Sequence, residues 1–230
     1  MYRLSREAES RYLKVVRKDW FPSAEAEAKR AIWARAHIPV PAILESGVTD
    51  EATWFLSRAL AGSDATDERF RSDVPGLVRR LAAALRRLHS IPVGACPFSF
   101  HLDVALQHAE QRLRQGQIDS ARDFHAEHVD LSADAALKKL VATRPATENL
   151  VVCHGDYCVP NILFDNDTLT GFVDLGELGT ADRWWDLAVA TWSLTWNFGS
   201  GYETIFLDSY GVDLDESRCR YYRLLYDVVS

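Results

Sequence analysis

The segment Val151-Val152-Cys153-His154-Gly155-Asp156-Tyr157-Cys158-Val159-Pro160-Asn161, followed by Gly171-Phe172-Val173-Asp174-Leu175-Gly176, constrains this chain more than any other feature. Short apolar runs bounded by Gly, Pro and Asp read as buried strands. An Asp, an Asn and a second Asp stand just after those runs, where side chains leaving strand ends converge. Hard oxygen donors gathered in that way suit one phosphate and its metal ions. Residues 150–153 are therefore predicted as a short buried strand. Residues 161–164 are predicted to pair with 170–173 across the turn Asp165-Asn166-Asp167.

The rest of the chain divides by its periodicity. Residues 2–4 and 11–16 read as two strands joined through the polar stretch 5–10. Pro22 opens a helical run to about residue 37, with Ala28, Ile32 and Trp33 on its inner side. Ile38-Pro39-Val40-Pro41 stops that helix, residues 42–45 and 53–60 read as further strands, and Gly62 marks a junction. Residues 1–61 thus form a small sheet-dominated lobe carrying one helix. Beyond it, Leu77, Leu81, Ala84, Leu85 and Leu88 recur at helical spacing until Pro92. Further helices are predicted over 102–114, 120–128, 133–142, 182–196, 203–210 and 215–227, so residues 62–230 form a mostly helical second lobe. The expected fold class is α+β, with neither internal repeat nor low-complexity segment.

Composition excludes several functions. A net charge of −7 over 230 residues opposes non-specific nucleic-acid binding, which needs a positive field, and favours a cationic ligand. No uncharged apolar run reaches the roughly 18 residues of a membrane helix, and the first residues lack the apolar core of a signal peptide. The expected location is the cytoplasm. Cys96, Cys153, Cys158 and Cys219 are too few and scattered for a secreted disulfide framework, and are expected reduced. Cys153, His154 and Cys158 lie close together, but no second clustered pair completes a tetrahedral metal shell, so they read as small buried residues beside a turn.

Asp156 and Asn161 are five residues apart and Asp174 follows thirteen later. Kinases place a catalytic-loop Asp, an Asn five residues on and a metal-binding Asp beyond it in the same order. A carboxylate beside an acceptor hydroxyl can orient it and accept its proton, while an amide oxygen and a second carboxylate are the ligands Mg2+ prefers. His154 through Asn161, together with Val173-Asp174-Leu175-Gly176-Glu177-Leu178-Gly179-Thr180-Ala181-Asp182-Arg183-Trp184-Trp185-Asp186-Leu187-Ala188, resembles the aminoglycoside phosphotransferases, antibiotic-resistance kinases with a two-lobed protein-kinase-like fold. The similarity is greatest to members acting on a 3′ or 3″ hydroxyl. It covers nearly the whole chain, since Lys14, Glu27, the Ile38 to Pro41 turn, Leu85 to His89 and Cys96-Pro97-Phe98 also sit where the family pattern puts them.

That resemblance implies ATP-dependent phosphorylation of an aminoglycoside, with Asp156 as the catalytic carboxylate and Asn161 and Asp174 holding Mg2+. Lys14 would contact the α- and β-phosphates, oriented by Glu27, with Glu25 as the competing partner. The backbone of Ser57 to Ala59 would form the adenine hinge. Asp186 would tie the catalytic loop together, and His154 is read as a structural histidine bonded to loop backbone. Because aminoglycosides are polycations, carboxylates should line the acceptor pocket. The candidates are Asp119, Asp123, Glu127 and Asp130, and Asp227 near the end of the chain, where Tyr226 stands in place of a second acid.

Two departures accompany the resemblance. The family begins with another strand and a flexible Gly- or Ser-containing loop over the phosphates, whereas the first glycine here is Gly47, so that part is expected to lie before Met1. Glu177 stands where the family commonly carries Arg, and either faces the phosphates or points outward into an acidic, substrate-facing rim. Rival readings are a kinase for a macrolide or peptide antibiotic, and a degenerate kinase acting as a binding protein. The oligomeric state stays open.

Overall fold

The computed structural model describes residues 1–6 and 9–229. Its first layer is an antiparallel sheet of β1 (Tyr2–Arg6), β2 (Glu9–Arg17), β3 (Ile43–Val48) and β4 (Ala52–Arg58), in the order β1-β2-β4-β3. The first two strands run longer than predicted, and the centre of their connection, residues 7 and 8, lies outside the described residues. In the β2–β4 ladder Lys14 lies opposite Phe55.

Helix α1 (Ala24–Ala34) covers this sheet. Ser23 caps it, its Oγ accepting from the Ala26 N–H at 3.1 Å, and the Thr53 hydroxyl accepts from the Ala24 N–H at 2.9 Å, tying the helix start to β4. The buried stripe is Ala24, Glu27, Ala28, Ala31 and Ala34, the spacing of one helical face. Ile32, expected inside, is 60 % exposed. Alanine lets the helix lie close to Phe55 and Ile43, and Ile32 falls beyond the edge of that stripe, on the flank turned to solvent.

The second, larger layer is built around helices. Gly62 turns the chain into it with φ +83°, and a Cβ there would lie 2.1 Å from the Phe164 carbonyl oxygen. A two-residue strand, β5 (Ser63–Asp64), and a 310 turn at Glu68–Asp73 were not anticipated. Helix α2 (Val74–His89) starts at an Asp73 cap and buries all five residues of its predicted stripe. Complete burial of a leucine contributes about 1.5–3 kcal/mol, so that face anchors the lobe. Helices α3 (Leu102–Arg114) and α5 (Ala133–Ala142) match their predicted bounds. Between them only α4 (Ser120–Asp123) is helical where nine residues were expected. His125 and His128 leave the helix there to meet Asp227.

Strand β6 (Leu150–Cys153) pairs with an unforeseen partner, β9 (Gly179–Asp182), while β7 (Ile162–Asp165) and β8 (Thr168–Phe172) form the predicted hairpin with Asn166 at φ +52°. Helices α6 (Arg183–Phe198), α7 (Glu203–Tyr210) and α8 (Glu216–Val229) close the layer. Helix α6 is buried on every side from Trp184 to Leu194, and the largest core cluster centres on it and α2. The two layers meet where the Phe172 N–H donates to the Pro39 carbonyl at 3.0 Å, and where the Arg30 Nε donates to the Leu178 carbonyl at 2.9 Å. Among the described residues no helix is long and apolar enough to cross a membrane.

Candidate active site

The chain between β6 and β7 is held from below by α6. Asp186, fully buried, accepts the His154 N–H at 2.7 Å on one oxygen and the Gly155 N–H at 2.9 Å on the other. His89 Nε2 lies 3.0 Å from the same carboxylate, and its Nδ1 lies 2.8 Å from the Tyr210 hydroxyl. The Trp185 indole donates to the Gly155 carbonyl at 2.6 Å. Gly155 itself has φ +90°, and a Cβ there would lie 2.4 Å from that of Glu177, so this loop needs glycine both for conformation and for space. His154 is buried, its Nδ1 accepting the Asp156 N–H at 3.3 Å.

On this frame the loop presents Asp156. Asn161 Nδ2 donates to its Oδ2 at 2.8 Å and to its carbonyl at 2.9 Å, and the Tyr226 hydroxyl donates to Oδ1 at 3.0 Å. Burial and the adjacent Asp156 charge both push the Tyr226 phenol far above its usual range, so it stays protonated. The Asn161 carbonyl accepts the Val173 N–H at 3.0 Å, which brings Asp174 alongside. Asp174 adopts φ +57°, a left-handed conformation that costs a non-glycine residue of order 1–3 kcal/mol and clusters at functional sites.

Lys14 reaches across from β2, its ammonium 2.5 Å from Glu27 Oε2 and 2.6 Å from Asp174 Oδ1. Burial works against the ammonium, but the charges of Glu27 and Asp174 outweigh it and hold the Lys14 pKa above its usual value. Glu25 instead pairs with Lys29 one turn along the exposed face, at 2.7 Å, so the structure chooses between the two glutamates. Asn161 donates with its nitrogen and Asp174 meets Lys14 through Oδ1, and among the described residues no donor meets the Asn161 side-chain oxygen or Asp174 Oδ2. Those hard oxygen donors fit a magnesium ion.

Two cavities adjoin at Glu27 and Asp174, which line both. The first, about 550 Å3, is bounded by Met1, Arg3 and Tyr12, by Phe55 and residues 57–60 of the β4 end, and by Asn161. The second, about 320 Å3, is bounded by Lys14, Trp20, Phe21, Pro22, Asp156, Glu177 and Tyr226. Ser57 and Ala59 line the first cavity, and the Ala59 N–H donates to the Ser10 carbonyl at 3.0 Å. Glu177 is buried and lines the second cavity. Its charge supports the Arg30 guanidinium against the burial that lowers its pKa.

The expected acidic wall is corrected by the structure. Among the described residues, none of Asp119, Asp123, Glu127, Asp130 and Asp227 lines the cavity holding Asp156. Asp119 caps α4, Asp123 pairs with Arg122 at 2.7 Å, and Glu127 accepts from the Trp192 indole and from Arg223. Asp130 is solvent-exposed. Asp227 is buried and accepts from the His125 N–H at 3.0 Å, with the imidazoles of His125 and His128 at 2.5 and 2.6 Å. Apart from exposed Asp130, these carboxylates are engaged by other donors, and the carboxylates lining the second cavity are Glu27, Asp156, Asp174 and Glu177, with Lys14 between the first and third. Tyr226 was noted in the sequence only as a substitution; its contact with Asp156 spans 70 positions and has no local signal. Cys153 is buried and Cys158 partly so; burial pushes both thiols well up, and the charge of Asp156 beside Cys158 adds to the rise there.

The sequence model of the phosphotransferase enzyme family APH matches residues 1–222. The chain belongs to that family. It is 38 % identical over 208 residues to an aminoglycoside 3′-phosphotransferase of Streptomyces fradiae, covering 86 % of this chain and 77 % of that protein. Among solved structures, an aminoglycoside-3′-phosphotransferase of type VIII superposes with a TM-score of 0.92 at 32 % identity, covering 99 % of this chain and 88 % of the other. The aminoglycoside phosphotransferase APH(3″)-Id from Streptomyces rimosus, in complex with ADP and streptomycin, superposes with a TM-score of 0.83 at 29 % identity, covering 96 % and 87 %. The two-lobed, protein-kinase-like α+β fold of the phosphotransferases is thus the fold of this chain, and the chain is a transferase of the kinase type.

Proposed function

We propose that this chain transfers the γ-phosphoryl group of ATP to a 3′ or 3″ hydroxyl of an aminoglycoside, conferring resistance. The observation that carries the reading is the placement of Asp156, held by Asn161 and Tyr226, in a cavity that shares Glu27 and Asp174 with a second, larger one. The larger cavity has the position and lining for a nucleotide, and the smaller, with its negative wall, suits a cationic acceptor. Residues 1–61 would then be the nucleotide-binding lobe and 62–230 the lobe carrying the acceptor site, in a cytoplasmic protein without nucleic-acid or membrane partners.

In the reaction, Asp156 accepts a hydrogen bond from the acceptor hydroxyl and aligns its oxygen with the γ-phosphorus. The new O–P bond forms as the bond to the bridging oxygen breaks, that electron pair leaves with ADP, and the hydroxyl proton passes to Asp156. Lys14, steadied by Glu27, holds the phosphate chain. Asn161 and Asp174 would hold Mg2+, which when bound offsets negative charge on the phosphate oxygens.

Incubation with kanamycin, neomycin and streptomycin in turn, followed by mass spectrometry, is expected to find one phosphoryl group added to at least one of them. Asp156→Ala should cut that turnover by roughly 10²–10⁴-fold with Mg·ATP affinity retained. Unchanged turnover would remove Asp156 from its assigned role. Calorimetry should find both Mg·ATP and aminoglycoside bound, and aminoglycoside binding without Mg·ATP binding would refute the ATP-dependent reading.

A further inference from the structure

An aspartate carboxylate held at one oxygen can still swing about its Cβ–Cγ bond, because that terminal torsion is broad. Asp156 is held at both. Asn161 approaches Oδ2 from its own loop, and Tyr226 approaches Oδ1 from α8, on the opposite side of the carboxylate. The α8 end is itself immobilised. Asp227, the next residue, is clamped by His125 and His128, and the Val228 carbonyl accepts from Arg112 at 3.0 Å. The phenol is therefore delivered to Asp156 from a fixed point, although the two residues are far apart in the chain.

We propose that Tyr226 is a positioning residue for phosphoryl transfer, fixing the plane of the Asp156 carboxylate so that one lone pair of Oδ1 is left for the acceptor hydroxyl. This rests on the kinase reading above. A carboxylate oxygen accepts at two in-plane lone pairs. With the phenol on one of them, Oδ1 keeps a single in-plane direction for an incoming hydroxyl, and because the plane of the carboxylate is held at both oxygens that direction is set before the acceptor arrives. Tyr226 also lines the second cavity, so its ring forms part of the wall along which the acceptor enters. Removal of the hydroxyl alone leaves that wall intact.

The test is Tyr226→Phe, assayed with whichever of kanamycin, neomycin and streptomycin the unaltered protein phosphorylates fastest. The expected result is a roughly tenfold fall in kcat, the worth of one hydrogen bond to a charged group, with KM for the acceptor and the Mg·ATP affinity within twofold of the parent. A kcat within twofold of the parent would overturn the proposal. So would a raised acceptor KM with kcat kept, since Tyr226 would then be binding the acceptor rather than orienting Asp156. A thermal cycle of Tyr226→Phe, Asp156→Ala and the double variant gives a second readout that needs no substrate. The double variant should lose less than the two single shifts together, and simple addition would refute the contact. Failure of the parent protein to phosphorylate any of the three drugs would count against the kinase reading, while the thermal cycle would still decide whether Tyr226 acts on Asp156.

Discussion

Asp186→Ala isolates the support beneath the loop that carries Asp156. The Asp186 carboxylate is fully buried and accepts two backbone N–H groups, from His154 at 2.7 Å and Gly155 at 2.9 Å, with His89 Nε2 at 3.0 Å. Alanine supplies no acceptor to either N–H, and both donors belong to buried residues. A buried donor left without a partner costs about 1–3 kcal/mol, so two of them lower stability by about 2–6 kcal/mol. In a chain of this size each kcal/mol moves the melting temperature by about 2–4 °C, which puts the expected drop near 10 °C. Asp186→Asn keeps one acceptor oxygen but turns an NH2 group toward the other backbone donor, so its melting point should fall between those of the parent and the alanine variant. Turnover should fall further than stability requires, because Asp156 is next in the loop after Gly155 and a displacement of about 1 Å can cost 10²-fold. Thermal melts followed by circular dichroism, with turnover measured well below each transition, provide the assay. Glu216→Ala, which removes an exposed pair with Arg220, is the control. An Asp186→Ala melting point within about 2 °C of the control would refute the reasoning.

Lys14→Met leaves Glu27 and Asp174 facing each other without the cation between them; Mg·ATP binding measured by calorimetry should weaken by roughly 10–100-fold, the worth of a charged hydrogen bond, and an unchanged affinity would exclude Lys14 from the nucleotide site. Burial pushes the Asp227 carboxyl up, but the hydrogen bonds from His125 and His128 outweigh that and hold it below the usual value. A depressed carboxyl stabilises the fold above its unfolded pKa of about 3.9 and loses that contribution as pH falls through the lower folded value. Urea midpoints should therefore drop below about pH 4, and Asp227→Asn should flatten that part of the profile. Gly155→Ala must place a Cβ 2.4 Å from that of Glu177 at φ +90°; a melting point and turnover equal to the parent would show that the loop accommodates a side chain there.

Much of the active-site frame was legible in the sequence because its signals are local. The Asp156, Asn161 and Asp174 spacing lies within one loop and one hairpin, and the α2 stripe of Leu77, Leu81, Ala84, Leu85 and Leu88 repeats at the helical period. Strand β9 was not legible: Gly179-Thr180-Ala181-Asp182 has little strand propensity and forms because β6 offers it a ladder. The residues 120–128 read as a helix, yet the helix stops at Asp123, and His125 and His128 face Asp227 instead.

What the amino-acid order determined by itself is the set of chemical groups, their spacing along the loop, and the periodic faces that sort strands from helices. Tertiary structure decided which of two glutamates meets Lys14, which carboxylates line the cavity, and that a tyrosine from the last helix touches Asp156. The reason is physical: a repeat of two or 3.6 residues is set by backbone geometry and appears in any short window. A contact across 70 or 160 positions exists only after whole elements have packed, when burial rather than adjacency selects the partner.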